Sequence, residues 1–264
     1  IVERLKKAYD EKGWLNETGA KYPVEVAIHK DNVLLTIDTS GSGLNKRGYR
    51  LAQGEAPIKE TLAASLIRLA NWKGDSPLID PFCGSGTIAI EACLIAQNIA
   101  PGFNRDFVSE EWNIMPPNIY DELRDEADRM ADYDKEIEVY ASDIDPEMVE
   151  IAKRNAEEVG LGDIIQFNVK DVNTLTIDSE GPVALVGNPP YGERIGDREE
   201  VEEMYRYIGS LMKQHPYLST YILTSNKEFE YLVNRKATKR RKLFNGYIEC
   251  TYYQYWGKKP DFKN

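Results

Sequence analysis

Residues 80–87 read Asp80-Pro81-Phe82-Cys83-Gly84-Ser85-Gly86-Thr87 and stand between two apolar segments. Residues 77–79 predict a short buried strand, and residues 88–96, which are apolar nearly all round, predict a buried helix. A strand that turns through two glycines into a helix lets the backbone approach a ligand closely. The turn has no third glycine for the usual dinucleotide fingerprint and no Lys after Gly86 for a Walker loop. An Asp at the strand end suits a cationic, non-phosphate ligand, and the alternative is an ordinary tight turn.

Strand and helix patterns alternate along the rest of the chain. We predict a helix at residues 146–159, capped by Asp145, and further strands at residues 137–141, 164–167, 183–186 and 220–223. Repeated strand–helix units predict a doubly wound α/β fold, a mostly parallel sheet with helices on both faces. Asn245-Gly246 between two apolar pairs predicts a C-terminal antiparallel hairpin. Ligands of such sheets bind beyond the carboxyl ends of the strands.

The first part of the chain has a different pattern. Residues 1–13 predict an amphipathic helix, and residues 24–28 and 33–38 predict a β-hairpin. This piece is too small for a core of its own. Together with Ile1 in place of a starting Met, it suggests that residues 1–45 end a smaller α/β domain that begins upstream. We expect residues 46–70 to be a connecting segment and helix, and residues 71–264 to form the main domain.

Composition limits the classes of protein that the chain can belong to. The 264 residues are 42% hydrophobic, and no apolar run has the roughly 18–20 residues of a membrane helix, which predicts a soluble protein. Three scattered cysteines and two histidines show no disulfide framework, metal site or hydrolytic triad. A reducing, cytoplasmic compartment fits this cysteine usage best.

The net charge of −11 argues against a chain that binds nucleic acid by itself. One stretch differs, because residues 235–242 hold six cations in eight residues. Such a basic stripe is compatible with RNA if another part of the protein supplies the affinity. The alternative is a solvated strand and turn.

Two further acidic motifs follow strands. In Ala141-Ser142-Asp143-Ile144-Asp145-Pro146, the Asp143 carboxylate matches the two hydroxyls of a ribose, whereas Asp145 is explained by its place as the helix cap. In Lys170-Asp171-Val172, an acid after the next strand can accept a hydrogen bond from an adenine amino group. A plain loop aspartate explains Asp171 almost as well.

The motif at residues 186–194 reads Val186-Gly187-Asn188-Pro189-Pro190-Tyr191-Gly192-Glu193-Arg194. An exocyclic amine is a poor nucleophile because its lone pair is delocalised into the ring. If the Asn188 side-chain carbonyl and the Pro189 backbone carbonyl accept its N–H groups, the nitrogen becomes pyramidal and exposes that lone pair. The two prolines hold these acceptors still, and Tyr191 can stack on a base swung out of its helix or loop. A structural Pro-Pro turn does not explain why Asn precedes and Tyr follows.

Taken together, these motifs resemble those of class I methyltransferases. Residues 41–50 and 56–64 resemble the segment before the catalytic domain in bacterial large-subunit ribosomal RNA guanine-N2 methyltransferases of the L type. The motifs at residues 80–87 and 188–194 resemble that family too, and the likeness runs from about Pro23 to the end of the chain. Members of the family often carry the label of adenine-N6-specific DNA methylase.

The resemblance implies a fold, a cofactor and a substrate. It implies a class I methyltransferase sheet, S-adenosylmethionine as cofactor, ribosomal RNA as partner, and a THUMP RNA-binding domain of which residues 1–45 are the end. It places residues 56–64 over the methionine end of the cofactor. The expected catalytic residues are Asn188, Pro189 and Tyr191. The expected cofactor-binding residues are Asp80, Phe82, Gly84, Gly86, Thr87, Asp143, Ile144, Asp171 and Asn188.

Other activities fit the same motifs. Adenine-N6 methylation of DNA is the nearest alternative, because guanine N2 and adenine N6 are both planar conjugated amines. Methylation of a protein glutamine amide uses the same Asn-Pro-Pro-Tyr, although the basic stripe and the THUMP-like segment argue against it. A catalytically silent RNA-binding assembly factor is the alternative outside enzymes. The motifs leave open the target nucleotide, the oligomeric state and whether this part is active alone.

Overall fold

The computed structural model describes residues 1–15, 18–51, 58–191 and 197–259. The chain divides into two compact units. One unit consists of Ile1–Gly43 and Asp106–Leu123, and the other of Leu44–Arg105 and Arg124–Asn264. We describe each unit by itself.

The first unit contains helix α1 (Val2–Ala8) and the antiparallel strands β1 (Val24–His29) and β2 (Asn32–Ile37). The predicted hairpin is confirmed, whereas α1 is shorter than the predicted helix over residues 1–13. Both turn residues, Lys30 and Asp31, have positive φ, as a two-residue hairpin turn with the right-handed twist of its strands requires. Whether this unit ends an RNA-binding domain stays a prediction.

The segment Asp106–Leu123 packs against the residues just before β1 and just after β2. The Trp112 indole N–H donates to the Lys21 carbonyl at 2.7 Å, and its ring stacks on Tyr22 with the ring centres 4.8 Å apart. The Ser109 hydroxyl donates to the Thr39 carbonyl at 2.8 Å. These contacts join two stretches that are far apart in sequence, and the predicted domain boundaries did not include them.

The second unit is built on one seven-stranded sheet. Its strands are β3 (Leu78–Asp80), β4 (Val139–Asp143), β5 (Ile165–Val169), β6 (Val183–Gly187), β7 (Leu218–Thr224), β8 (Lys239–Asn245) and β9 (Ile248–Tyr255). They lie in the order β5-β4-β3-β6-β7-β9-β8. The strands β3 to β7 pair in parallel, and β9 is antiparallel to both β7 and β8. The predicted mostly parallel sheet with a C-terminal antiparallel hairpin is confirmed. The strand order reverses between β3 and β6, where such sheets bind ligands.

Helices cover both faces of this sheet. They are α2 (Glu60–Ala70), α3 (Thr87–Ala96), α5 (Pro146–Glu157), α6 (Asp197–Gln214) and α7 (Phe229–Leu232). Helix α4 (Ile119–Met130) has no buried residue and contributes to neither core. Side chains of α2, α3 and α5 form a first core on one face, into which Val186 points. Side chains of α6 and α7 form a second core on the other face, with Leu185. Leu185 and Val186 are neighbours in β6 but point into opposite cores, because successive side chains of a strand alternate between the two faces of the sheet. No helix among the described residues is long and apolar enough to span a membrane.

Three local predictions are corrected or refined. Strand β4 ends at Asp143, two residues beyond the predicted end, so Asp143 is the last residue of the strand. The C-terminal hairpin turns at Gly246-Tyr247 rather than Asn245-Gly246, because Asn245 pairs with Ile248. Gly246 supplies the positive φ at the first position of that turn. Helix α2 begins at Glu60 within the connecting segment and helix predicted at residues 46–70, of which residues 52–57 lie outside the described residues.

Candidate functional site

A cavity of about 330 Å³ opens at the carboxyl ends of β3, β4 and β6. It lies in the second unit, on the side of the sheet that the motifs predict. The predicted site residues that line it are Phe82, Gly84, Thr87, Asp143, Ile144, Asp171 and Asn188. The remaining predicted residues, Asp80, Gly86, Pro189 and Tyr191, are not part of its lining.

The glycine turn and the end of β4 are joined by a hydrogen bond. The Gly84 N–H donates to Asp143 Oδ2 at 2.9 Å, and the Asp145 N–H donates to Asp143 Oδ1 at 3.1 Å. Both carboxylate oxygens are therefore oriented by backbone, and each retains a second lone pair. Gly84 has φ +49°, and apart from its chain neighbours no described residue has an atom within 4 Å of where a Cβ would stand. The turn thus presents open backbone to the cavity beside an oriented carboxylate.

The second glycine of the turn has a packing role. Gly86 has φ +83° at the start of α3, and a Cβ there would stand 3.0 Å from the Ala152 Cβ on α5. Only glycine combines this backbone conformation with such close helix packing. Gly86 therefore lets the turn pack closely against α5 and does not line the cavity.

Asp80 lies at the end of β3 and is completely buried. Its Oδ1 accepts the Phe82 N–H at 3.3 Å, and Oδ2 has no hydrogen-bond partner among the described residues. Burial raises the pKa of the Asp80 carboxyl to about 8; the Phe82 N–H opposes this shift, and the charge of Asp143 adds to it. A buried acceptor without a partner is rare and costly, and it is typical of a site that receives a cationic or hydrogen-bonding group.

Asp171 and Asp145 both act as caps. The Asp145 side chain accepts the Glu147 N–H at 2.8 Å at the start of α5, which confirms its prediction as the helix cap. The Asp171 Oδ1 accepts the Asn173 N–H at 2.9 Å, so the loop conformation of Asp171 is explained without a ligand. Asp171 nevertheless lines the cavity, where Lys170 stands beside it.

Asn188 directly follows the buried strand β6, and two further side chains form a hydrogen-bonded chain that ends on its amide oxygen. The Tyr191 hydroxyl donates to Asn188 Oδ1 at 2.7 Å, and Asn245 Nδ2 donates to the same hydroxyl at 3.2 Å. Because the hydroxyl accepts from Asn245, its own proton points to Asn188. The chain of donors therefore orients the Asn188 oxygen.

The Tyr191 ring is half-buried and packs against the first core, so it does not face the cavity. Burial raises the pKa of its hydroxyl, which stays protonated as a donor. Pro189 is buried outside the lining, whereas Pro190 lines the cavity. The roles predicted for the Tyr191 ring and the Pro189 carbonyl stay predictions.

Several residues of the site escaped the sequence analysis. Tyr205 on α6 donates to the Pro190 carbonyl at 3.2 Å and bonds to Thr224 Oγ1 at 2.9 Å, which ties the Pro-Pro loop to β7. Arg50 donates to Thr87 Oγ1 at 2.8 Å behind the glycine turn. Ile58, Met148, Pro190 and Met204 add apolar lining. Arg50, Ile58 and Pro190 lie in stretches already quoted, at residues 41–50, 56–64 and 186–194. Met148, Met204 and Tyr205 stand in no motif, so only the three-dimensional structure identifies them.

Some predicted features lie outside the described residues. These are Gly192-Glu193-Arg194, which extend the Asn-Pro-Pro-Tyr motif, and Ala56-Pro57 in the segment placed over the cofactor. Ile58, the first described residue after that gap, lines the cavity. In the part of the chain that the structure describes, no group of three or more His, Cys, Asp or Glu side chains is arranged to hold a metal ion.

Comparison with known proteins gives the family. A sequence model of the RMKL-like methyltransferase domain matches residues 47–254. The chain is 56% identical over 262 residues to the protein named "Putative RNA methyltransferase YpsC" of Bacillus subtilis strain 168, covering 98% of this chain and 67% of that one. It is 38% identical over 258 residues to ribosomal RNA large subunit methyltransferase K/L of Shewanella baltica strain OS155, covering 96% of this chain and 36% of the relative. The chain thus spans about a third of the K/L protein.

Solved structures share the fold over nearly the whole chain. One, titled a predicted N6-adenine-specific DNA methylase from Listeria monocytogenes strain 4b F2365, is 52% identical with a TM-score of 0.90, covering 97% of this chain and 66% of that one. Another, SMU.472, a methyltransferase by its title and complexed with SAH, is 41% identical with a TM-score of 0.91, covering 99% of this chain and 69% of that one. The sheet is therefore that of a class I methyltransferase, whose cofactor is S-adenosylmethionine. The chain belongs to the RMKL-like methyltransferase domain family.

Proposed function

We propose that this chain transfers the methyl group of S-adenosylmethionine to the exocyclic N2 amine of a guanine in 23S ribosomal RNA, and that it does so in the cytoplasm. The observation that carries the proposal is that Asn188 lines the same cavity as Gly84 and Asp143. An acceptor for amine protons and the elements of a nucleoside-binding turn thus share one cavity.

The residues of the cavity fit the cofactor in chemical type. We assign Asp143 to the two ribose hydroxyls, since both of its oxygens are held in place by backbone N–H groups. Asp171 receives the adenine amino group, and Phe82, Ile144 and Met148 supply apolar walls. Asp80 does not line the cavity, but it directly precedes the lining residues Pro81 and Phe82, and its buried carboxyl favours a positively charged ligand. The cofactor supplies an electrophilic methyl group on a sulfonium sulfur.

Asn188 acts on the amine that receives the methyl group. Its Oδ1 and the Pro189 carbonyl accept the two N–H groups, so that the nitrogen becomes pyramidal and its lone pair is available for in-line attack on the methyl group. The N–C bond forms as the S–C bond breaks, S-adenosylhomocysteine leaves, and the methylated nitrogen loses one proton to water. Catalysis then rests on positioning and polarisation rather than on a strong base. Tyr191 orients Asn188 through its hydroxyl, and we infer that its ring pivots about this hydrogen bond to stack on the base when the base enters.

Adenine-N6 methylation of DNA is the second candidate, and the name of the Listeria monocytogenes structure favours it. Nucleoside analysis separates the two. Ribosomal RNA from cells that lack the enzyme, and unmethylated DNA, are incubated with the protein and isotopically labelled cofactor, digested, and analysed by mass spectrometry. We expect labelled N2-methylguanosine from the RNA. Labelled N6-methyladenine from DNA would contradict the proposal, and cofactor binding without transfer to either would favour the silent assembly factor.

We also propose that the first unit, Ile1–Gly43 with Asp106–Leu123, belongs to a THUMP RNA-binding domain. The acidic charge of the chain agrees with a division of labour in which such a domain supplies most of the affinity for RNA. Binding of ribosomal RNA by full-length protein, but not by a full-length variant altered only in that domain, is the expected result.

Asp143→Ala is expected to weaken cofactor binding about 10- to 100-fold, because charge-assisted hydrogen bonds to both ribose hydroxyls are lost. Isothermal titration calorimetry with S-adenosylhomocysteine measures the affinity directly. Asp145→Ala is the matched control: it removes the cap of α5 two residues away and should lower thermal stability more than affinity. If Asp143→Ala binds the cofactor with unchanged affinity, Asp143 does not bind the ribose hydroxyls.

A further inference from the structure

The basic stripe at residues 235–242 has no role in the proposed chemistry, and the structure places it on an edge. Strand β8 is the last strand of the sheet, so among the described residues one side of its backbone has no neighbouring strand. Lys236, Lys239, Arg240 and Lys242 are all exposed. We call residues 235–248 the basic hairpin. These four cations lie in the edge strand or just before it and face solvent, whereas Arg241 is half-buried.

Two carboxylates offset only part of this charge. Glu230 pairs with Arg240, and Glu249 pairs with Lys242. Among the described residues, the six cations at residues 235–242 therefore have two acidic partners, on a chain whose net charge is −11. A locally positive edge on an acidic body attracts a polyanion to that edge and repels it elsewhere.

The tip of the basic hairpin is aromatic and exposed. Tyr247 is fully exposed and Phe244 is 54% exposed, and neither belongs to the two cores. The Lys242 ammonium lies 5.4 Å from the centre of the Phe244 ring. Exposed aromatics interleaved with cations are typical of surfaces that bind single-stranded nucleic acid, where bases stack on the rings and cations contact the phosphates.

The tip is next to the cavity. Asn245, the last residue of β8, donates to the Tyr191 hydroxyl, which donates to Asn188. The positively charged edge therefore leads to the residue that receives the target amine. Asn245 thus lies two hydrogen bonds from Asn188, at the end of the strand that carries most of the cations.

We propose that the basic hairpin binds the single-stranded RNA beside the target nucleotide, its cations contacting phosphates and Phe244 and Tyr247 stacking on bases. This inference rests on the proposed function for the identity of the polymer. Single-stranded rather than duplex RNA is the partner, because paired bases do not offer their faces to a side chain.

The test measures binding of a fluorescein-labelled, mixed-sequence single-stranded RNA to the full chain by fluorescence anisotropy over a range of salt concentrations. Phe244→Ala/Tyr247→Ala should weaken binding about tenfold or more, with little change in the slope of log K against log[salt], because stacking is not ionic. Lys236→Ala/Lys239→Ala should lower the magnitude of that slope by about 1.4, or about 0.7 per lost phosphate contact.

Matched controls separate the hairpin from general surface effects. Tyr133→Ala removes a half-exposed tyrosine, and Arg154→Ala removes an exposed cation on α5, which packs near β5 at the opposite edge of the sheet. Both controls should bind the RNA like the unaltered chain. Thermal melting of every variant shows whether it is folded, and since all the substituted side chains are exposed we expect unchanged melting.

The outcomes divide clearly. Equal binding by the hairpin variants and the controls overturns the inference, as does absence of RNA binding by the unaltered chain. Preference for duplex RNA, or loss of a protein complex rather than of RNA binding, overturns it as well. If the hairpin variants lose RNA binding while the unaltered chain methylates no RNA, the inference holds and the proposed function fails.

Discussion

Asn188→Ala is expected to slow methyl transfer about 100- to 1000-fold, the usual effect of removing one preorganised polar group from a site of this kind. The Asn188 oxygen is the side-chain acceptor that the site offers to the target amine, and Tyr191 and Asn245 hold it in place. An alanine leaves the amine planar and its lone pair delocalised. Cofactor affinity should stay nearly unchanged, since Asp143 and the glycine turn are untouched.

Single-turnover methylation of ribosomal RNA measures the rate, and calorimetry measures the cofactor affinity of the same preparation. Tyr191→Phe is the companion variant: it keeps the ring for stacking and removes only the hydroxyl that orients Asn188. We expect the rate of methyl transfer to fall about tenfold, which is the usual effect of losing one hydrogen bond. A fully active Asn188→Ala would show that Asn188 has no part in the mechanism. If Tyr191→Phe has the rate of the unaltered chain, the Tyr191 hydroxyl has no part either, and only the ring is left for a role in stacking.

The parts of the fold that depend on neighbouring residues were predictable from the sequence. The β3–turn–α3 unit, the cap of α5 by Asp145 and the two hairpins each depend on contacts within a few residues. The meeting of Gly84 with Asp143 was predictable too, although 59 residues separate them, because parallel strands bring their carboxyl ends to one edge.

The parts that depend on long-range packing were not predictable. The amide of Asn245 reaches Tyr191 across 54 residues, and the Arg50 guanidinium reaches Thr87 across 37, without any motif that marks either contact. Helix α6 was not assigned, although its Tyr205 holds the Pro-Pro loop. The Asn-Gly pattern predicts the turn of the C-terminal hairpin one residue too early. The cross-strand pairing of Asn245 with Ile248 determines the turn instead.

Tyr191 shows how a motif can identify a residue and still leave its conformation open. Its place after Asn-Pro-Pro predicts a ring that stacks on a base, whereas the free chain holds the ring against the first core and uses the hydroxyl. Burying an aromatic ring that has no ligand to cover it is favourable. The stacking arrangement therefore requires the base itself to replace those contacts.

Asp80→Asn is expected to weaken cofactor binding and, at the same time, to change how the stability of the free chain depends on pH. Burial raises the pKa of Asp80 from an ordinary value of 3.8 to about 8. The folded chain therefore binds the Asp80 proton more tightly than the unfolded chain does. The free energy of unfolding then falls as pH rises from about 4 to about 8, and this dependence levels off above the folded pKa.

The asparagine variant lacks this dependence, so its stability relative to the unaltered chain should increase across the same pH window. Urea unfolding of both proteins at about pH 5 and about pH 9 measures the difference. A cationic ligand favours the ionised carboxylate, so binding of S-adenosylmethionine near neutral pH should release a proton from Asp80. Calorimetry in buffers of different ionisation enthalpy detects that proton, and we expect it to be absent in Asp80→Asn, together with a loss of affinity of about tenfold. Equal affinity and a stability difference that does not change with pH would show that Asp80 is a structural acid with no part in holding the cofactor, and the buried carboxyl would then need another explanation.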